Sequence, residues 1–296
     1  MLIVMTGATG GIGLEAARRL KETADVRLIV GARNPAPPPP ALRNGAELRP
    51  LDLASLASVR DFATTLTTGP KIDVLILNAG IQNVTDAISA DGYELSFAVN
   101  HLAHYLLIRL LLPHMAHGGR IVLTSSGTHD PAEKTGLPPP RHVDAAKLAW
   151  PHQDPDLDRG RMTRGRRAYT TSKLANIMTV LELARRVDDE AGLSIAALDP
   201  GFTPGTGLAR DYPGPGGLIF RWLLPRLVRR TERVSTPAIS GRLLARLATD
   251  PAYAGLRGSY LAVRSGELVE ARPSAVAYDE HLAARLWDNS ACLVRV

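Results

Sequence analysis

Cysteine is almost absent: Cys292 is the only one in 296 residues. That excludes an internal disulfide and any cysteine-built metal cluster, and it suits a reducing, cytoplasmic setting. Aromatic residues are just 5% of the chain, so the stacking platforms that hold single-stranded nucleic acid are scarce. The net charge of +6 would suit a polyanion. However, the arginines are scattered, with short clusters only at Arg159–Arg167 and Arg221–Arg233, and no nucleic-acid partner is expected. No continuous run reaches the ~18 apolar residues of a membrane span. Met1 leads straight into a strand-like pattern, so no signal peptide is expected either. Internal repeats and domain linkers are also missing. What remains is the composition of an ordinary globular protein, 45% hydrophobic and 22% charged, long enough for one large α/β domain.

The chemistry that is present centres on Tyr169-Thr170-Thr171-Ser172-Lys173. A helix would stack Tyr169 and Lys173 on one face, four residues apart. A phenol near pKa 10 is a poor acid or base at neutral pH, and an adjacent ammonium stabilises the phenolate. Alone, such a pair is a weak signal, because it also occurs on solvated helix faces.

Its context begins at the N-terminus. Leu2–Met5 is a short apolar run of the kind a buried parallel strand shows. It ends in Thr6-Gly7-Ala8-Thr9-Gly10-Gly11-Ile12-Gly13, and a helical pattern follows from Leu14 to Leu20. Strand, glycine turn and helix N-terminus make a pyrophosphate site. Val26–Gly31 reads as a second strand. An acid for a ribose 2′-hydroxyl is normally found just beyond it; Ala32 and Arg33 stand there instead, and an arginine suits a 2′-phosphate. The prolines of residues 35–40 predict an extended connection with little or no helix.

Further along, Glu47–Arg49 and Ile72–Leu77 predict strands, with a helix between them capped by Ser55 and ending near Leu66. A long helix is expected from Asp91 to about Ala116, carrying Asn100, His101 and His104. The two histidines have no third ligand at matching spacing, so structural roles are favoured and no metal is expected. Arg120–Thr124 should be the fifth strand, delivering Ser125 and Ser126 at its carboxyl end. Residues 127–163 read as a long loop, a length that usually signals function or disorder. The Tyr169 helix should run to about Val187, followed by a strand at Leu193–Leu198 and then Asp199-Pro200-Gly201. Leu218–Arg230 is apolar and basic, the pattern of a lid over a pocket or, less favoured, of a membrane-surface helix. A helix at Thr236–Ala248, a final strand at Gly258–Val263 and a terminal helix at Ala275–Trp287 complete the pattern.

Taken together, T-G-x-x-x-G-I-G at 6–13, N-A-G at 78–80, Asn100, Ser126, Y-x-x-x-K at 169–173 and P-G at 200–201 resemble the short-chain dehydrogenase/reductase family over essentially the whole chain. Leu51–Arg60, Asp91–Pro113, Ser172–Asn176 and the ending around Ala284–Val294 are most similar to its retinol dehydrogenase and light-dependent protochlorophyllide reductase branch. The resemblance implies one doubly wound Rossmann-type α/β domain with a mostly parallel sheet, binding NADPH or NADP, with NADH less favoured. Tyr169 would exchange a proton with the substrate oxygen, Lys173 would lower the phenol pKa and bind the nicotinamide ribose, Ser126 would orient the carbonyl, and Asn100 would position a water. Gly7, Thr9, Gly11, Ile12 and Gly13 would hold the pyrophosphate, Arg33 the 2′-phosphate, Asp52 and Leu53 the adenine. Asn78, Ala79 and Gly80 would line the adenosine side, and Pro200, Gly201 and Thr203 would lie near the carboxamide. The threonine usual five residues after the P-G proline is Gly205 here, flanked by Thr203 and Thr206. The expected activity is hydride exchange between nicotinamide and a ketone or secondary alcohol of a hydrophobic, polycyclic small molecule. Reduction of a conjugated C=C bond and a catalytically silent NADPH sensor are the alternatives. Residues 127–163 and 201–233 would form the substrate side, and the oligomeric state is left open.

Overall fold

The computed structural model describes residues 1–204 and 232–296. Gly205, Thr206 and the Leu218–Arg230 stretch lie outside the described residues.

Seven parallel strands and one antiparallel edge strand form a single sheet in the order β3-β2-β1-β4-β5-β6-β7-β8. They are β1 (Leu2–Thr6), β2 (Arg27–Ala32), β3 (Ala46–Pro50), β4 (Ile72–Leu77), β5 (Met115–Thr124), β6 (Ser194–Asp199), β7 (Arg257–Arg264) and β8 (Glu267–Glu270). Strand alternation splits the core into two layers. Leu2 and Val4 face a cluster that includes Phe62, Tyr105, Leu106 and Ile177. Ile3 and Met5 face Ala16, Leu20, Leu243 and Leu244. Helices α2 (Leu56–Thr67), α4 (Ala103–Leu111) and α6 (Arg161–Arg186) therefore cover one face. Helices α1 (Gly11–Lys21) and α7 (Pro237–Thr249) cover the other. The first crossovers run outward from β1 to β3, and the chain then returns to β4 on the opposite side of β1. That reversal opens a crevice at the carboxyl ends of β1 and β4, where open α/β sheets bind their ligands.

Several boundaries differ from the sequence expectation. The long helix starts at α3 (Leu95–Phe97), because the Glu94 carboxylate caps it by accepting from Ser96 and Phe97 N–H at 2.9 and 2.7 Å. A π-helical stretch, Ala98–Leu102, joins α3 to α4. Pro113 sits in a 3₁₀ turn that ends the helical stretch at His114. Strand β5 consequently begins at Met115, not Arg120. Leu95–His114 is long and apolar enough to cross a membrane by length and composition, contrary to the count of continuous runs, but 78% of its most apolar window is buried in this fold.

Helix α6 begins two turns before Tyr169. Its first turns are fastened by tertiary ion pairs, Arg164 to Asp86 at 2.9 Å and Arg167 to Asp158 at 2.6 Å, which no periodicity reveals. Residues 127–163 hold a short helix, α5 (Ala145–Ala149), capped by Asp144, and three 3₁₀ turns. Gly258–Val263 is not the last strand. Ser265 and Gly266, both at positive φ, form a two-residue hairpin of the kind that matches strand twist, and β8 pairs back on β7. The terminal helix is displaced too: a 3₁₀ turn occupies Ala275–Tyr278, and α8 (Glu280–Val294) starts after the Asp279 cap. Between β2 and β3 the proline run holds no α-helix, only a 3₁₀ turn at Pro40–Leu42.

Candidate active site

A cavity of about 1120 Å³ occupies the crevice. Its floor at one end is the β1–α1 turn. Gly7 has φ +70°, and a Cβ on it would lie 2.6 Å from Ala79 Cα. A Cβ on Gly13 would lie 2.0 Å from the Gly7 carbonyl oxygen. The turn, helix α1 and the Asn78–Ala79 backbone are thus packed at distances that only glycine permits. No side chain caps α1, and its first turn carries no acid. Its leading N–H groups and dipole are left for an external anion. Asn78 Nδ2 donates to Gly7 O at 3.1 Å, and Asn78 and Ala79 N–H both donate to Thr6 Oγ1.

Gly7, Thr9, Gly11, Ile12 and Gly13 all line this cavity, as do Asn78, Ala79 and Gly80. Arg33, Asp52 and Leu53, which follow β2 and β3, line it on that side of the glycine turn. Arg33 is exposed, and no hydrogen bond or ion pair holds its guanidinium among the described residues. Asp52 Oδ1 accepts from Ala54 N–H at 3.0 Å and so fixes the turn after β3. Pro200, Gly201 and Thr203 close the side after β6. Gly201 takes φ +73°, and Thr203 Oγ1 lies 3.2 Å from Gly201 O and 3.3 Å from Ser240 Oγ.

Ser126, Tyr169 and Lys173 line the same cavity, and Ser126 follows β5, on the other side of β1 from β2 and β3. Ser126 caps a 3₁₀ turn, and its Oγ accepts from Thr128 N–H at 3.3 Å. Lys173 Nζ donates to Thr124 O at 3.1 Å and stands 5.7 Å from the Tyr169 ring centroid. Burial pushes the Lys173 ammonium down to about 8, and the Asp199 carboxylate opposes that shift. Gly80 packs closely here, since a Cβ on it would lie 3.2 Å from Lys173 Nζ.

Residues 1–135 match the family model described as short chain dehydrogenase. The chain is 32% identical to protochlorophyllide reductase A, chloroplastic, of Oryza sativa subsp. japonica, over 99% of its own length and 80% of that protein. It is 31% identical to protochlorophyllide reductase of Chlamydomonas reinhardtii, with coverages of 98% and 77%. The chain belongs to the short-chain dehydrogenase/reductase family. It is therefore an oxidoreductase of the kind that uses a nicotinamide cofactor. Among solved structures, an uncharacterized protein from Mycobacterium Paratuberculosis shares a TM-score of 0.72 at 29% identity, covering 100% of this chain and 93% of that one. A short chain dehydrogenase from Burkholderia cenocepacia in complex with NADP has TM-score 0.63 at 21% identity, covering 89% and 96%, a likeness of fold.

Within this short-chain dehydrogenase/reductase, Asn100 is the one expected site residue that does not line the cavity. Its Oδ1 accepts from Ile81 N–H at 2.8 Å, and its Nδ2 donates to Ile81 O and Ser172 Oγ. It ties the chain after Gly80 to helix α6 and acts through those neighbours. Ser125 donates to the Lys173 carbonyl at 2.7 Å, so of the two adjacent serines its hydroxyl is the one spent on the fold.

The two histidines have separate structural partners. His101 bonds Ser290 Oγ at 2.9 Å and stacks on Phe97. His104 Nδ1 lies 3.1 Å from Asn100 O, an acceptor, so that nitrogen carries the proton. Nε2 then accepts from Thr6 Oγ1 at 3.0 Å. Burial pushes His104 down to about 3, with the Lys173 charge adding to the shift, so the ring stays neutral and this tautomer links β1 to the π-helical stretch.

Sequence reasoning missed an ionic group whose four residues line the cavity. Asp199 accepts from Arg264 at 2.9 Å, Arg264 lies 3.5 Å from Glu133, and Glu133 pairs with Arg233 at 2.8 Å. These residues are far apart in the chain, and no spacing joins them. His129 was missed too; its Nδ1 lies 2.7 Å from Ser126 O, and its Nε2 accepts from Ser274 N–H at 3.1 Å.

Proposed function

We propose that this protein reduces the carbonyl group of a hydrophobic ring compound with NADPH, or runs the reverse oxidation of a secondary alcohol. The observation that carries the reading is one shared cavity lined by Ser126, Tyr169 and Lys173 together with the glycine turn and Arg33. The cofactor fits the residues present. The uncapped helix and close-packed glycines suit a pyrophosphate, and Arg33, in place of an acid, suits a 2′-phosphate. Bound there, NADPH supplies a hydride to the substrate carbon.

The protein's part is positioning and proton supply. Ser126 Oγ donates to the carbonyl oxygen and orients it. Tyr169 gives its hydroxyl proton to that oxygen as negative charge develops, and the Lys173 ammonium stabilises the phenolate left behind. Ile81, Leu95, Val99, Leu137 and Phe202 supply apolar wall on the substrate side. In this reading residues 127–163 and 201–233 choose the substrate, and the chain acts as one domain.

A second reading is favoured by the curated relatives, which are named as reductases of protochlorophyllide. It is reduction of a conjugated C=C bond, with Tyr169 delivering its proton to carbon. A bicyclic enone incubated with NADPH separates the two. Carbonyl reduction gives the allylic alcohol, and C=C reduction gives the saturated ketone. Consumption of NADPH with neither product would refute both.

A further inference from the structure

His129 is a buried imidazole, 1% exposed, that does not itself line the cavity. Both of its nitrogens are engaged. Nε2 faces the Ser274 N–H at 3.1 Å, a group that can only donate, so Nε2 accepts and carries no proton. The ring proton therefore sits on Nδ1, which donates to Ser126 O at 2.7 Å. A charged ring would aim a second N–H at the Ser274 N–H, so the bonded ring is neutral. The ring also packs on Tyr260 of β7, with centroids 5.5 Å apart and planes at 79°. Two hydrogen bonds and one aromatic contact thus fix both side-chain torsions of His129.

What the ring holds is a short turn. Ser126 caps the 3₁₀ turn Gly127–His129, and its Oγ accepts from Thr128 N–H at 3.3 Å. Its carbonyl oxygen also accepts from His129 N–H at 3.3 Å. Both bonds are long, as is usual in a 3₁₀ turn, whose hydrogen-bond geometry is poor. The imidazole bond at 2.7 Å is the shortest of the three. On another flank the turn meets the Asp199 carboxylate, since a Cβ on Gly127 would lie 3.0 Å from Oδ2. Ser274, at the other end of the ring, is 145 residues away in the chain and opens the Ala275–Tyr278 turn.

We infer that His129 is a positioning residue for Ser126, holding the serine backbone against the C-terminal part of the fold so that its hydroxyl keeps one placement in the cavity. The inference rests on the role proposed for Ser126 and adds the group that sets its position. Ser126 needs an outside support because its own turn is closed only by the two long bonds. A misplacement of about 1 Å caused by a change outside the chemistry costs on the order of 10²-fold in rate.

The test compares His129→Phe, which keeps a ring and loses both nitrogens, with His129→Asn, whose amide can still donate to Ser126 O. Two readouts need no substrate. A proton–nitrogen correlation spectrum of the histidine rings, assigned with His129→Phe, should show His129 neutral and protonated at Nδ1 at neutral pH. The amides at positions 128 and 129 should exchange about tenfold or more faster in His129→Phe and return to within about threefold of wild type in His129→Asn. Kinetics then use NADPH and the bicyclic enone. His129→Phe should lower kcat about ten- to a hundredfold, with KM for NADPH within about threefold of wild type. In a Ser126→Ala background the same substitution should change kcat less than about threefold, because the group it positions is gone. A ring protonated at Nε2, unchanged amide exchange, or an equal rate loss with and without the Ser126 hydroxyl would overturn the inference. Full activity in Ser126→Ala, or no turnover of the enone, with the exchange result intact, would count against the proposed function alone.

Discussion

Two alanine substitutions three residues apart should behave in opposite ways. A Cβ on Gly13 would fall 2.0 Å from Gly7 O, 2.6 Å from Asn78 Nδ2 and 2.8 Å from Gly7 C. To reach an ordinary contact, helix α1 and the glycine turn must separate by roughly 1 Å or more. The turn has nowhere to retreat, because Gly7 already lies against Ala79 Cα on its other side. Separation also stretches the Asn78 Nδ2 to Gly7 O hydrogen bond, now 3.1 Å. Overpacking of this kind costs about 1–3 kcal/mol, and the hydrogen bond adds about 1 kcal/mol. The total of about 2–4 kcal/mol lowers Tm by roughly 3–7 °C in a chain of this size. Gly10 is the control. It has extended backbone at φ −168°, and a Cβ there meets nothing within 4 Å. Gly10→Ala should cost no more than about 1 kcal/mol as a poorer helix cap. Thermal unfolding and NADPH titration by fluorescence would report on both variants. Gly13→Ala should lose Tm by the stated amount and weaken NADPH at least tenfold, whereas Gly10→Ala should keep its Tm within a few degrees. Equal behaviour of the two would refute the packing argument.

Tyr169→Phe should reduce kcat by roughly 10²–10⁴-fold while NADPH affinity stays near wild type; retention of more than a tenth of the rate would remove Tyr169 as the proton donor. Arg33→Ala should weaken kcat/KM for NADPH by about ten- to a hundredfold and leave NADH little changed, since charge-assisted bonds to a phosphate are worth about 1.5–3 kcal/mol. Equal use of both cofactors by the wild type would sink the 2′-phosphate assignment. Lys173 gives a pH signature in the cofactor-free protein. The folded chain releases its proton near 8 and the unfolded chain near 10.5, so between those values the unfolded state binds more protons and stability rises with pH. In Lys173→Met that alkaline rise should be smaller, and an unchanged slope in urea unfolding would contradict the burial of the ammonium.

The strands were legible wherever a short apolar run stood between turn residues. Leu2–Met5, Leu28–Gly31 and Val74–Leu77 are buried on both faces, and such runs need no partner to be recognised. The Ser55 cap was legible for a similar reason: its oxygen accepts from Ser58 N–H at 3.3 Å, a contact made within one turn. Local chemistry also marked Gly7, Gly13, Tyr169 and Lys173, because their spacing along the chain is itself the geometry that matters. Other features were set by partners distant in sequence. The start of α6 depends on Asp86, and the Asp199–Arg264–Glu133–Arg233 group draws on four separate segments. The roles of His104 and Asn100 arise where β1, the π-helical stretch and α6 meet. His129 is the clearest case. Its sequence neighbourhood is unremarkable, and only the packing of Ser126 and Ser274 against it engages both ring nitrogens. Chain order thus determined the strands, the cofactor turn and the Tyr169–Lys173 pair, whose interactions span a few residues. Tertiary packing decided which polar groups are spent on the fold and which are left unpaired, because burial and hydrogen-bond satisfaction exist only once distant segments are in contact.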